Sequence, residues 1–280
     1  MKKYGLAVVS VLVSAGALTA CGDNATGEEE IEQLLTDSNE AMGNLNSYAV
    51  ETAVHSDDFE NNAILQLTRD PVALTNEHRQ PDAVSGETDV NTEFIEDGIY
   101  YYEEPSIGEW IKLDAEEAGI TGAESLRPAE AQLDMMKQYS DQLELNDKGD
   151  DYILSASGTE DGELKELALE MAGGQQAKEM GLEVTDFDIE IVIDKSSLLQ
   201  KEATMTLGFQ MPNQQENEEE ADVQTQSLTS TYSQFNEVED IHVPDEVTNE
   251  AIDIEEAQEM MEQQQAELEQ EAQPNEDSEE

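Results

Sequence analysis

Residues 184–195 read VTDFDIEIVIDK and residues 201–211 read KEATMTLGFQM. In the first, Phe187, Ile189, Ile191 and Ile193 alternate with Asp186, Asp188, Glu190 and Val192. In the second, Ala203, Met205, Leu207, Phe209 and Met211 alternate with Thr204, Thr206, Gly208 and Gln210. A period of two sends successive side chains to opposite faces of a strand, so each segment has one apolar and one wet face. That is the pattern of an antiparallel sheet covered on one side. Lys195-Ser196-Ser197 predicts the turn between the two strands.

The same period extends towards both ends of the chain. SYAVETAVHS (47–56) and NAILQLTRDPVALTNEH (62–78) read as strands, with Pro71 at a bend or strand start. TDVNTEFIEDGIYYYEEPSIGEWIKLD (88–114) reads as strand, tight turn at Asp97-Gly98, strand, turn at Pro105 to Gly108, and short strand. DYILSAS (151–157) and VQTQSLTSTYSQFNEV (223–238) add two more, the second after a polar hairpin loop at 212–222, and IHVPDEVTNEAID (241–253) closes the domain.

Helical spacing interrupts the strands in three places. Ile31, Leu34, Leu35 and Met42 predict a helix over 28–43, with Glu28–Glu30 at the positive end of its dipole. Residues 128–145 predict a second, with Pro128 in its first turn. Leu164, Leu167, Ala168 and Met171 share one face of a third, stopped at Gly173-Gly174. The fold class that follows is α+β: a large curved antiparallel sheet, or half-barrel, with helices covering its apolar face. Residues 28–254 form this domain, and 255–280 an acidic Gln/Glu-rich tail, mobile or transiently helical.

The first 24 residues, MKKYGLAVVSVLVSAGALTACGDN, carry a different message. Lys2 and Lys3 precede an uncharged run from Gly5 to Ala20, which is shorter than the roughly 20 residues a spanning helix needs. Positive start, apolar run and small residues at its end make a secretory signal over residues 1–20. Cys21, the only cysteine, follows directly. Leu18-Thr19-Ala20-Cys21 resembles the lipobox of bacterial lipoproteins. That resemblance implies cleavage between Ala20 and Cys21, a diacylglyceryl group on the Cys21 thiol, fatty acyl chains such as palmitate, and a short tether over 21–27. Two acyl chains, at about 0.8 kcal/mol per buried CH2, hold firmly where one does not. The expected location is the extracytoplasmic face of the cell membrane, lipid-anchored. With a single cysteine, no disulfide forms within the chain.

Composition narrows the function. The chain has 68 acidic and 12 basic residues, a net charge of −56, and loss of Lys2 and Lys3 makes it more negative still. Nucleic acid is excluded as a partner, and an anionic bilayer does not attract such a surface. Self-repulsion on this scale is relieved by salt, since the Debye length at about 1 M falls to roughly 3 Å. A saline or alkaline medium suits it.

Catalytic signals are weak. His55, His78 and His242 are dispersed, outside any nucleophile-base or His-Glu-x-x-His pattern, and are predicted to be solvated strand-end residues. They do not make a zinc site. Asn146 to Asp151 (NDKGDD) lacks the acidic alternation of a calcium loop and predicts a hairpin turn. Tyr100, Tyr101, Tyr102 and Trp110 predict sheet packing ahead of a carbohydrate platform. No enzyme, metal or cofactor is expected.

The opening helix ending at LNSYAVE, the FIEDGIYYYEEPSIGEWIKLD hairpin and the closing IHVPDEV resemble a group of Gram-positive bacterial lipoproteins. These in turn are similar to the lipoprotein-carrier superfamily of LolA and LppX-like half-barrels. The resemblance implies a sheet whose concave face accepts acyl chains, a lipid or other apolar ligand as partner, and Ile189, Ile191, Met205, Leu207 and Phe209 as cavity lining. Read from the residues alone, those five are ordinary core under the helices ahead of a cavity lining. Two functions therefore stand. One is a non-enzymatic carrier; the other is a scaffold lipoprotein of the envelope with a filled core and no ligand.

Overall fold

The computed structural model describes residues 27–56, 60–81, 88–120, 126–159, 162, 164–171, 175–210 and 223–271. The alternating segments are its longest strands, β9 (Glu183–Asp194) and β10 (Gln200–Gln210), paired antiparallel with Met205 opposite Ile189 and Ala203 opposite Ile191. Asp194 closes their connection by accepting from the backbone N–H and hydroxyl of both Ser196 and Ser197. Four donors hold its carboxyl far below the usual carboxylate range, with the two serine hydroxyls contributing most.

Around this pair a twelve-stranded sheet is assembled. Its strands are β1 (Ser47–Ser56), β2 (Glu60–Arg69), β3 (Val72–Pro81), β4 (Thr88–Glu96), β5 (Ile99–Glu104), β6 (Glu109–Asp114), β7 (Glu144–Lys148), β8 (Asp151–Thr159), β9, β10, β11 (Gln224–Ser233) and β12 (Ile252–Asp253). Their order is β12-β6-β5-β4-β3-β2-β1-β11-β10-β9-β8-β7, and the sheet is not closed into a barrel. Every pairing is antiparallel except β12 with β6. The β4–β5 turn has positive φ at both Asp97 (53°) and Gly98 (79°), which the Asp-Gly pair tolerates and a twisted hairpin requires.

The helices are α1 (Gly27–Gly43), α2 (Pro128–Lys137), α3 (Leu164–Met171), α4 (Gln175–Glu179), α5 (Asp245–Glu250) and α6 (Ile254–Glu271). Ile31, Leu34, Leu35 and Met42 of α1 and Ala129, Leu133 and Met136 of α2 join one core with Tyr48, Val50 and Leu67 of the sheet. Leu164, Leu167 and Ala168 of α3 extend that core across β8 and β9.

The helix expected over 128–145 ends at Lys137. A 3-10 turn at Ser140–Gln142 follows, and β7 begins at Glu144. Leu145 sits opposite Leu154 of β8, so edge pairing overrides helical propensity here. Residues 254–271 are helical, with Ala257 fully buried and Gln264 donating to the Ser106 carbonyl at 2.9 Å. The loop read at 212–222, the stop at Gly173-Gly174, Met211 and the segment from Met1 to Thr26 lie outside the described residues.

One buried ion pair ties helices to sheet. The Arg69 guanidinium donates to the carbonyls of Met42, Gly43 and Leu45 at 3.1–3.2 Å, to Leu126 at 3.3 Å, and to Glu130 Oε1 at 2.5 Å. α1 has no basic residue in its last turn, so Arg69 meets its unsatisfied carbonyls and negative dipole end from the neighbouring strand. Glu130, fully buried, also accepts from the Tyr48 hydroxyl at 3.3 Å. Burial, then the Glu130 charge, pushes the Tyr48 phenol well above its usual range.

After β11 the chain crosses the outer face of the sheet as a strap. Asn236 N–H donates to Ser47 O at 2.8 Å and Gln66 donates to Gln234 at 3.1 Å. Further on, Glu96 binds His242 Nδ1 at 2.7 Å and accepts from Val243 N–H at 2.9 Å. The strap delivers β12 to the edge at β6. Its hydrogen bond to His242, then that to Val243, lowers the Glu96 pKa, while Glu96 raises that of His242.

Glu130→Ala leaves Arg69 charged, 11% exposed and without its carboxylate. A loss of about 3–5 kcal/mol is expected in urea unfolding, and less for the paired Arg69→Met/Glu130→Leu exchange. The strap gives a pH signature. The raised His242 pKa stabilises below 6.5 and its contribution is lost as pH rises through the raised value. The lowered Glu96 pKa stabilises above 4.5 and is lost as pH falls through the lowered value. Hydrogen exchange over 238–244, corrected for intrinsic rate, should be slowest between 4.5 and 6.5. His242→Ala should abolish the alkaline rise.

Candidate ligand-binding face

The strand registers sort the inner, helix-bearing face of the sheet into rows. The first is Tyr48, Leu67, Leu74, Ile95 and Tyr100, running from β1 to β5. Tyr48, Leu67 and Ile95 are at most 1% exposed, and Tyr48 packs against the Arg69–Glu130 pair. The second row is Val50, Leu65, Asn76 and Glu93; the third is Thr52, Ala63, His78 and Asn91. Val54 and Asn61 begin a fourth. On β3 and β4, two residues of advance change the face from Leu74 and Ile95 to Asn76 and Glu93, and two more bring His78 and Asn91.

Coverage changes with chemistry. On β8, β9 and β10 the inner face is closed: Leu154, Ile189, Ile191, Met205, Leu207 and Phe209 are all buried in the continuous core. On β1 to β5 the corresponding residues Thr52, Val54, Ala63, Leu65, Asn76, His78, Asn91, Glu93 and Tyr102 are half-buried. The face is therefore amphipathic, packed at one end and partly open at the other.

The polar end is internally organised. Asn76 Nδ2 lies 2.7 Å from His78 Nε2 and donates to Glu93 Oε2 at 3.3 Å. His78 Nε2 is 4.0 Å from Glu93. Tyr100 and Tyr102 stack with centroids 5.5 Å apart and planes at 21°. Burial raises the Tyr100 phenol pKa first, and the charge and hydrogen bond of Glu93 raise it further; Tyr102 is raised by burial and then by Glu104. Two side-chain oxygens, Asn61 Oδ1 and Asn91 Oδ1, are shielded from solvent without a hydrogen-bond partner. A shielded acceptor left unpaired is costly, so such atoms mark places where a ligand donor would be stabilising.

Two hollows on the outer face have a different character, while a third, of 740 Å³ beside Val192, Leu199 and Phe235, is mainly apolar. One of 570 Å³ lies between the strap and Gln66, Thr75 and Phe94, rimmed by Glu237, Glu239 and Asp240. Another of 330 Å³ is bordered by Ser155, Ser157, Asp188, Glu190, Thr204 and Thr206. Both are mainly polar or acidic.

The five residues expected as cavity lining are together, at 0–9% exposure, on the closed end of the inner face. Ala20 and Cys21 lie outside the described residues. NDKGDD forms the β7–β8 turn, with Gly149 at φ 62° and the Lys195 ammonium on Asp147 and 2.6 Å from Gly149 O. Tyr101 and Trp110 project from the outer face, where Trp110 meets Phe94 at 5.9 Å. His55 is exposed. Among the described residues, no group of three or more His, Cys, Asp or Glu is placed to hold a metal, and no helix is long and apolar enough to cross a membrane. The sequence reading overlooked the cluster of Asn61, Asn76, His78, Asn91 and Glu93. Its signal was present in TNEH (75–78) and VNTE (90–93), where polar residues occupy the register that is apolar at Leu74 and Ile95.

An open α+β sheet with helices on one amphipathic face defines the class. The chain belongs to the family of unknown function DUF6612, whose pattern it matches over residues 30–252. Its fold is similar to that of two solved mycobacterial structures. The lipoprotein LppX of Mycobacterium tuberculosis is 10% identical, with a TM-score of 0.41, over 76% of this chain and 98% of that one. LprF from Mycobacterium bovis is 14% identical, with a TM-score of 0.42, over 77% of this chain and 97% of that one. No curated protein matches the chain.

Proposed function

We propose that this is a lipid-anchored extracytoplasmic protein that holds an amphipathic lipid or other apolar ligand, without catalysis, on the inner face of its sheet. Residues 1–20 are the signal removed at Ala20–Cys21, and a diacylglyceryl group on Cys21 is the anchor. Residues 28–254 are the carrier domain. The observation that carries the reading is the unequal coverage of one continuous face: closed on β8–β10 and at Tyr48, Leu67 and Ile95 of the first row, half-buried from Thr52, Ala63 and Asn76 onward. An acyl chain laid over the half-buried Val54, Ala63 and Leu65 would remove apolar area from water at about 25 cal/mol per Å2. Ile189, Ile191, Met205, Leu207 and Phe209 then form the packed apolar wall of the site. Their depth of burial also favours a second reading, a scaffold lipoprotein with a filled core.

Native mass spectrometry of the full-length protein extracted from membranes separates the two. The carrier reading expects a chain beginning at lipidated Cys21, with a further small molecule released on gentle activation. Cys21→Ala should lose the covalent lipid and keep the released molecule. Ala63→Trp, which fills the half-buried rows, should keep the anchor and lose the molecule. A lipidated wild type that never carries a non-covalent guest supports the scaffold. A chain whose Cys21→Ala variant still takes up labelled fatty acid contradicts the anchor.

A further inference from the structure

The polar corner of the inner face has an imbalance that a ligand must correct. Its groups are mostly acceptors: the shielded, unpartnered oxygens of Asn61 and Asn91, and the carboxylate of Glu93. Glu93 is met there by two neutral donors, the Asn76 amide at 3.3 Å and the Tyr100 phenol, and by His78 Nε2 at 4.0 Å, with no lysine or arginine beside it. From the second row (Val50, Leu65, Asn76, Glu93) to the far ends of β1 to β5, the inner-face positions include no Lys or Arg. Arg79 and Lys112 fall on the opposite face, Arg79 paired with Glu77 and Lys112 with Asp253.

We infer that the site selects an amphiphile whose head carries a positive, N–H-bearing nitrogen, with Glu93 and Asn91 receiving the head and the apolar rows receiving the tail. This rests on the carrier reading and names the ligand class of that same face.

Three physical points converge on that head. A cation placed by Glu93 makes a charge-assisted hydrogen bond that Asn76 and Tyr100, the neutral donors already in place, cannot replace. An N–H donor satisfies the Asn91 oxygen, which lies two residues along the same face of β4 from Glu93, so both are reached by one head. The stacked Tyr100 and Tyr102 rings, on the adjoining strand, add a π surface that favours a cation. An anionic head, by contrast, meets a carboxylate, unpaired acceptors and a chain of net charge −56.

A chain this acidic also attracts cations without any site, so the test must separate local from diffuse binding. The full chain carrying Cys21→Ala is titrated with decylammonium, decyltrimethylammonium, decyl glucoside and decanoate in about 1 M NaCl, where the Debye length is about 3 Å. Decylammonium is expected to bind about tenfold or more tighter than decyl glucoside or decanoate. Decyltrimethylammonium, cationic without N–H, should fall between. Glu93→Gln should bring decylammonium to the affinity of decyl glucoside and leave decyl glucoside unchanged. Asn91→Leu should weaken decylammonium as well, and raise the melting temperature of the unliganded protein by removing an unpaired acceptor. That opposition of affinity and stability is not expected of a residue that only supports the fold.

Equal or tighter binding of decyl glucoside or decanoate overturns the inference. So does a decylammonium preference that survives both Glu93→Gln and Asn91→Leu, because the cation is then held by the general acidic surface. If decyl glucoside binds, is blocked by Ala63→Trp, and decylammonium shows no advantage, the carrier reading stands and the head-group assignment falls. If no decyl compound binds in a way that Ala63→Trp blocks, both fall together.

Discussion

A single buried guanidinium sets what is covered and what is left open. Arg69 stands at the end of β2, where it meets the last carbonyls of α1 and the carboxylate of Glu130 in α2. Neither helix is held by propensity alone, since helices this short are marginal until an amphipathic face is packed. The ion pair fixes both to one end of the sheet, over Tyr48 and Leu67. A buried pair of this kind adds little net stability compared with apolar isosteres, but breaking it is expensive. What it supplies here is placement. The helices cannot slide along the strands without stranding a charge.

Placement at one end has a consequence for the other. The core that includes α1, α2 and α3 closes the apolar rows and the β8–β10 strands, and the remaining corner carries residues that tolerate partial exposure. Asn76, His78 and Glu93 organise each other there, yet Asn61 and Asn91 keep an oxygen apiece without a donor. Local consistency fails at that corner while it holds across β8–β10. Natural proteins break such rules chiefly where a function requires it. The strap on the outer face has the complementary role, running from the interior strand β11 to one edge of the open sheet and delivering β12 to β6 while Glu96 holds His242 and Val243.

Much of this architecture could be read from residues. Strict alternation in β9 and β10 was legible because one face is dry and the other wet, and the Asp97-Gly98 turn because few residue pairs accept two positive φ values. The first helix was legible from the spacing of its buried residues. The end of α2 was not, since QLEL satisfies a helix and a strand equally and only the partner β8 decides between them. The site was hidden for a similar reason. Asn, His and Glu at alternate positions look like the wet face of a strand; that they occupy the inner face depends on the register with Leu67, Leu74 and Ile95, which no single segment contains. Arg69 gave no sign of its role, because its partners lie in two helices distant along the chain.

The central claim is that one sheet face is sealed at β10 and only half-covered at Ala63 of β2. Thiol accessibility measures this directly. In a chain carrying Cys21→Ala, cysteine is placed either at Ala63 or at Leu207, which is 3% exposed, and reacted with a maleimide under native conditions. The Ala63→Cys thiol should react in the folded protein, and be protected by a bound amphiphile, while the Leu207→Cys thiol should react only as fast as the chain unfolds. Equal protection of both thiols in the ligand-free protein would contradict the account, because the inner face would then be filled from edge to edge.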